Sequence, residues 1–203
     1  MGAVDHRFVP ALCGTPGAAW AAATGDEPAD TPAYGVALLS RFPAHDWHVV
    51  RLPALRGRVP YRFPGLARPH LVSDEPRVGV AARLVTPLGQ LTVATTHLSF
   101  LPGWNIVQLR LLMRALRGTP RLVVAGDLNM GPATARRVTG LESAATSNTF
   151  PAGAPMRQID HLLVAGLPAA RCWSTGSRTR RCAQGETAIP SDSAPSAFGA
   201  PGW

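Results

Sequence analysis

Apolar residues in this chain fall mostly into short runs, not into long helical stripes. Runs with period-two or continuous apolar character lie at Tyr34 to Ser40, Trp47 to Leu52, Val78 to Thr86, Gln90 to Thr96, from Leu122, and at Ile159 to Val164. Each predicts a strand. Residues 8 to 33 predict a short strand and then a loop rich in Ala, Gly, Pro and Asp. Pro87-Leu88-Gly89 separates two of the strands and is a hairpin signal. One segment has helical period, from about Asn105 to Arg117. There Ile106, Leu109, Leu112, Met113 and Leu116 form an apolar face, and Arg110, Arg114 and Arg117 line the face beside it. Gly118 and Pro120 end that helix.

The polar positions complete the outline. Pro53 to His70 holds six Pro or Gly, and the expectation there is irregular loop. A short helical turn is expected between Asn129 and Ser143, then a loop to Ala154. Arg171 to Gln184 is an arginine-rich connection or edge strand, and Ser193 to Trp203 shows no alternation and forms an irregular tail. No internal repeat and no domain boundary interrupts the chain, so residues 1–203 are read as a single domain. The pattern alone gives an α/β class.

Composition changes this picture little. Apolar residues make up 46% of the 203, which fits a globular protein, and no apolar stretch reaches the length that spans a bilayer. All 20 basic residues are Arg, and Ile and Asn are scarce, as expected from a GC-rich genome. The net charge of +8 favours phosphate-bearing partners without identifying one. Cys13, Cys172 and Cys182 have no zinc spacing, and an odd count of thiols with no leader at the N-terminus points to a cytoplasmic protein. The sequence carries no sign of oligomeric state.

Chemistry concentrates where apolar runs stop. Leu122-Val123-Val124-Ala125 ends in Gly126-Asp127-Leu128-Asn129, and strand alternation would turn Asp127 and Asn129 to one side. A carboxylate there can hold a hard cation or a water, and an amide can bind a phosphoryl oxygen; Asp and Asn after a strand are also ordinary turn residues. Three more segments join it: Thr95-Thr96-His97-Leu98, Gln158-Ile159-Asp160-His161-Leu162-Leu163, and Pro190-Ser191-Asp192. A histidine at a strand end can equally bond to backbone, and Asp160 can pair with Arg157 on a rim. His161 would point away from Asp160 on a strand and reads as a packing or surface residue.

In this order, with Tyr34-Gly35-Val36-Ala37-Leu38-Leu39-Ser40-Arg41 ahead of them, the segments resemble the endonuclease/exonuclease/phosphatase superfamily of DNase I-like proteins. The likeness runs from about residue 8 to residue 192, and Phe8-Val9-Pro10-Ala11-Leu12 and Pro102-Gly103-Trp104-Asn105 resemble segments of its actinobacterial members. The resemblance implies two packed sheets flanked by helices in four layers, with the site at one end. The family's usual opening strands, one with an Asn and one with a metal-binding Gln-Glu pair, are not among these residues, and the resemblance implies a sheet incomplete at the N-terminus. The closing Ser-Asp-His of the family stands here as Ser191-Asp192-Ser193.

By the same resemblance the activity is Mg²⁺- or Mn²⁺-dependent hydrolysis of a phosphate ester, drawn from nucleic acid, a phospholipid head group or a small phosphate. Asp127 would orient or deprotonate the water and, with Asp192, bind the metal. Asn129 and His97 would bind the phosphate, and Asp160 would hold a histidine in its working tautomer. Two other readings stand beside this one: a degenerate relative that keeps only phosphate or nucleic-acid binding, and a binding module resting on charge. Arg51, Arg56, Arg58, Arg62 and Arg68, interleaved with Tyr61 and Phe63, suit nucleic acid, or equally a solvated loop.

Overall fold

The computed structural model describes residues 2–15, 19–28, 30–63 and 67–167. Eleven strands and two helices are assigned among them. β1 (Asp5–Thr15) lies between β2 (Ala19–Ala22) and β3 (Ala33–Ser40), antiparallel to both, in a three-stranded sheet. A six-stranded sheet runs in the order β10-β11-β9-β8-β7-β4. Its members are β4 (Ala44–Leu52), β7 (Arg77–Thr86), β8 (Gly89–His97), β9 (Leu122–Asp127), β10 (Glu142–Ser143) and β11 (Asp160–Ala165). All its pairings are antiparallel except β8 with β9.

That exception positions the site. Parallel neighbours need a crossover, and α1 (Trp104–Ala115) provides it. The C-terminal ends of β8 and β9 therefore lie side by side, and antiparallel β11 begins where they end. Leu109, Leu112 and Leu116 pack from this segment onto Ala81, Ala94, Val124 and Leu163 of the larger sheet. Close approach is possible because Gly79 lies beneath the helix: a Cβ there would come within 2.7 Å of Leu112 Cδ1. α2 (Pro132–Thr139) adds Ala135 to the same core.

The other face of the larger sheet packs on the smaller one. Val78 and Val80 of β7 meet Val9 and Ala11 of β1, with Val36, Leu38, Trp47 and Val49 around them. The expected two-sheet sandwich is present, and it is mostly sheet. Among the described residues both helices cover the larger sheet.

Two local readings need correction. The segment from Pro53 to His70 is not wholly irregular, because β5 (Arg58–Tyr61) pairs with β6 (His70–Ser73) in a two-stranded ribbon. Pro60 is tolerated because each strand of a ribbon has a free edge. Tyr61 and Phe63 pack edge-on to each other at 4.9 Å, and Tyr61 meets Phe100 at 5.1 Å, a tertiary cluster invisible to local pattern. At the N-terminus, β1 continues to Thr15 through Gly14, held by partners on both sides.

Candidate active site

Strand register sets the three central residues in one row. His97 pairs with Asp127 across the parallel ladder, and Asp127 pairs with Asp160 across the antiparallel one. Ala94, Val124 and Leu163 face the helices. By alternation His97, Asp127 and Asp160 face the opposite way, toward the smaller sheet. His97 Nε2 lies 3.6 Å from Asp127 Oδ2, with the two side chains 33% and 26% exposed. Asp160 is exposed.

Gly126 makes the end of β9 possible. Its φ is +132°, and a Cβ would fall 1.9 Å from the carbonyl oxygen of Thr96. Only glycine brings the chain this close to β8. Beyond Asp127 the strand stops. Asn129 takes a left-handed conformation at φ 50°, which Asn adopts more readily than most residues. Its backbone N–H donates to Asp127 Oδ1 at 2.9 Å, closing an Asx turn.

Strand alternation thus does not extend to Asn129, as the sequence suggested it would. Its side chain is directed by the turn, with Nδ2 donating to Leu98 O at 2.9 Å. Asn105 Nδ2 in turn donates to Asn129 O at 2.8 Å, tying the turn to α1. The loop after His97 is equally fixed. Ser99 Oγ donates to Asp74 Oδ1 at 2.5 Å, and Ser99 N donates to Gln108 Oε1 at 2.7 Å.

Two residues that sequence reasoning did not place in the site belong beside His97. Tyr34, near the start of β3 on the smaller sheet, brings its hydroxyl within 2.6 Å of His97 Nδ1. The Arg77 guanidinium lies 5.9 Å from the Tyr34 ring centroid, is 6% exposed, and pairs with Glu75 at 3.3 Å. Tyr34 opens the motif that carried the resemblance, and Arg77 stands at the start of an apolar run. Those were the available signals. His161 is buried, as a packing residue should be, with Nε2 2.8 Å from Met130 O. Asp192 and Ser193 lie outside the described residues, as do Cys172 and Cys182.

Burial is the main cause of lowered proton affinity at His97, and the Arg77 charge adds to it, against opposing pulls from Asp127, Asp160 and Glu75. Burial likewise holds the Asp127 carboxyl above its ordinary range. The nearby Asp160 charge adds to that, while the Asn129 N–H, His97 and Arg77 oppose it. Two carboxylates on adjacent strands, one half-buried, repel each other in a way a divalent cation would relieve. All the donors are oxygen, which suits Mg²⁺ or Mn²⁺ better than a thiophilic metal. Among the described residues, no three His, Cys, Asp or Glu side chains cluster into a metal site by themselves.

A two-sheet sandwich with polar residues gathered at the strand ends of its larger sheet defines the DNase I-like fold. The catalytic domain of human Nocturnin shares it, at a TM-score of 0.50 and 18% identity, over 79% of this chain and 60% of that one. Residues 4–192 match the Endonuclease/Exonuclease/phosphatase family, and the chain belongs to it. Similar structures include a mannosyl-6-phosphatase from Bacteroides thetaiotaomicron, at a TM-score of 0.46 and 14% identity over 64% of this chain and 56% of that one. A family protein from Beutenbergia cavernae has a TM-score of 0.45 and 20% identity, over 79% of this chain and 46% of that one. The chain thus spans about half to three fifths of the length of these proteins. No curated protein matches the sequence.

Proposed function

We propose that this chain carries the site of a metal-dependent phosphoester hydrolase. The observation that supports it most is the row His97, Asp127, Asp160 at the adjoining ends of three strands, with Asn129 held just beyond. Membership of a family of phosphoester hydrolases adds to this. Mg²⁺ or Mn²⁺, held by Asp127 with Asp160 beside it and with Asp192 as a further ligand, would neutralise charge on the phosphoryl group.

The chain's own groups do the rest. Asp127 orients the attacking water and accepts its proton. His97 Nε2–H donates to a phosphoryl oxygen, and the second N–H of the Asn129 amide, not used by Leu98 O, donates to another. Asp160 adds negative charge beside Asp127 and His97. The aromatic ribbon rises from the same end of the sheet, since β6 leads within a few residues into β7. Its Tyr61 and Phe63, with Phe100 and the nearby Arg58 and Arg62, suit stacked bases and backbone phosphates, so nucleic acid is favoured over a phospholipid head group. The buried free thiol of Cys13 accords with a cytoplasmic setting, and among the described residues no helix is long and apolar enough to cross a membrane.

The test is turnover of bis-p-nitrophenyl phosphate with Mg²⁺ or Mn²⁺ by the chain and by its Asp127→Ala variant. Metal-dependent turnover lost in the variant supports the reading. Turnover that survives the substitution removes Asp127 from the chemistry. Binding of single-stranded nucleic acid without any turnover would leave a binding protein in place of an enzyme.

A further inference from the structure

We infer that Tyr34 is a positioning residue that holds the His97 imidazole as its Nε2–H tautomer and turns that N–H toward the site. The inference rests on the hydrolase reading for its role, while the bond on which it is built stands apart from that reading.

The Tyr34 hydroxyl and His97 Nδ1 are 2.6 Å apart, so one of them must donate. If Nδ1 carried the proton, Nε2 of the neutral ring would present a lone pair to Asp127 Oδ2 at 3.6 Å. An acceptor would then face a carboxylate across a half-buried gap with no proton between them. If Tyr34 donates instead, Nε2–H faces the carboxylate and every polar atom in the pair has a complement. At 3.6 Å this N–H is beyond direct hydrogen-bond distance, so it remains available to an oxygen placed between the two strands.

The tyrosine is itself held in place. Its ring meets His97 edge-on, with centroids 6.1 Å apart at 66°, and the Arg77 guanidinium lies over the ring. Arg77 is buried, and its Nε has no hydrogen-bond partner, so the stack takes the place of a solvated contact. Tyr34 stands on the smaller sheet and His97 on the larger. Packing of the two sheets therefore sets the tautomer of a histidine that neither sheet would fix alone. His161 is the contrast: its Nε2 is committed to a backbone oxygen.

The experiment reads the ring directly. Long-range ¹H–¹⁵N spectra of the ¹⁵N-labelled chain, at a pH where histidines are neutral, report which nitrogen carries hydrogen and whether the other accepts a bond. The His97→Gln variant assigns the signal. Expected are a protonated Nε2 and an Nδ1 with a hydrogen-bonded acceptor shift. Tyr34→Phe should move Nδ1 to the unbonded acceptor position, leave the melting temperature nearly unchanged, and lower kcat by about 10- to 100-fold with KM little altered, as when the group orienting a functional histidine is lost. A protonated Nδ1 in the parent chain, or an Nδ1 shift unmoved in Tyr34→Phe, overturns the inference. So does a moved shift with unchanged kcat. If neither protein turns over substrate, the hydrolase reading falls while the spectra still decide the tautomer.

Discussion

At the scale of single residues, Asp127 sets function against stability. Its carboxyl titrates above its ordinary range in the fold, chiefly through burial. A group with a raised folded pKa helps the folded state below its unfolded pKa and loses that contribution as pH rises through the folded value. At neutral pH the ionised Asp127 therefore costs the metal-free protein stability. Asp127→Asn keeps an oxygen for the Asn129 N–H and removes the charge. It should melt higher than the parent at pH 7 and show no such gain in acid, while turnover falls by roughly 10² to 10⁴ as for loss of a general base. Scanning calorimetry at two pH values with a rate assay checks both halves. His97 shifts the other way: burial and the Arg77 charge favour its neutral ring more than in an ordinary histidine. With Asp127 ionised and His97 neutral as the working pair, kcat/KM should rise through the acid range and stay level past neutrality. A rate that falls as pH passes upward through neutrality would contradict these states.

Single residues also show what a sequence conceals. The placement of Asp127, His97 and Asp160 at strand ends was legible because each stands where an apolar run begins or ends, and strand ends are a one-dimensional signal. Tyr34 was not, since its partner lies 63 positions along the chain on another sheet, and no periodicity joins them. For Asn129 the expected geometry was wrong. Alternation holds only while the backbone stays extended, and the left-handed turn ends it.

At the scale of elements, the unit β8–α1–β9 was readable almost entire: strand, crossover helix and strand, with the helix ending two residues before the expected Arg117. Its apolar period of 3.6 is strong and its stops are explicit. The β5–β6 ribbon was missed because Tyr61 packs on Phe100, far along the chain, against a local background of Pro and Gly. The weakest tolerance in the unit should be at Gly126. Gly126→Ala places a methyl against the Thr96 carbonyl in a conformation that L-residues rarely adopt. Strain of about 1–3 kcal/mol is expected before any displacement of β9 is counted. Urea unfolding should show the loss, and activity per folded molecule should fall as well, because the same shift moves Asp127. A neutral outcome would mean that β9 does not press on β8 as described.

At the scale of the whole molecule, charge and layering matter most. The net charge of +8 with nucleic acid as the favoured substrate predicts an association that weakens steeply with salt. Fluorescence anisotropy of a labelled single-stranded oligonucleotide, without divalent metal, should give a linear fall of log K against log salt concentration. An affinity indifferent to salt would exclude contacts with the phosphate backbone. Tyr61→Ala should reduce the same affinity by about 1–3 kcal/mol if a base stacks there.

The row at the strand ends has one more consequence. Each of its members comes from a different strand, so the interval between them is the interstrand repeat of the ladder, about 4.8 Å. The site is built on a ruler whose divisions belong to backbone amides and carbonyls. Exchanging the side chain at one division changes the chemistry offered there and leaves the graduation untouched. A site organised this way can change the groups it presents without renegotiating where they stand.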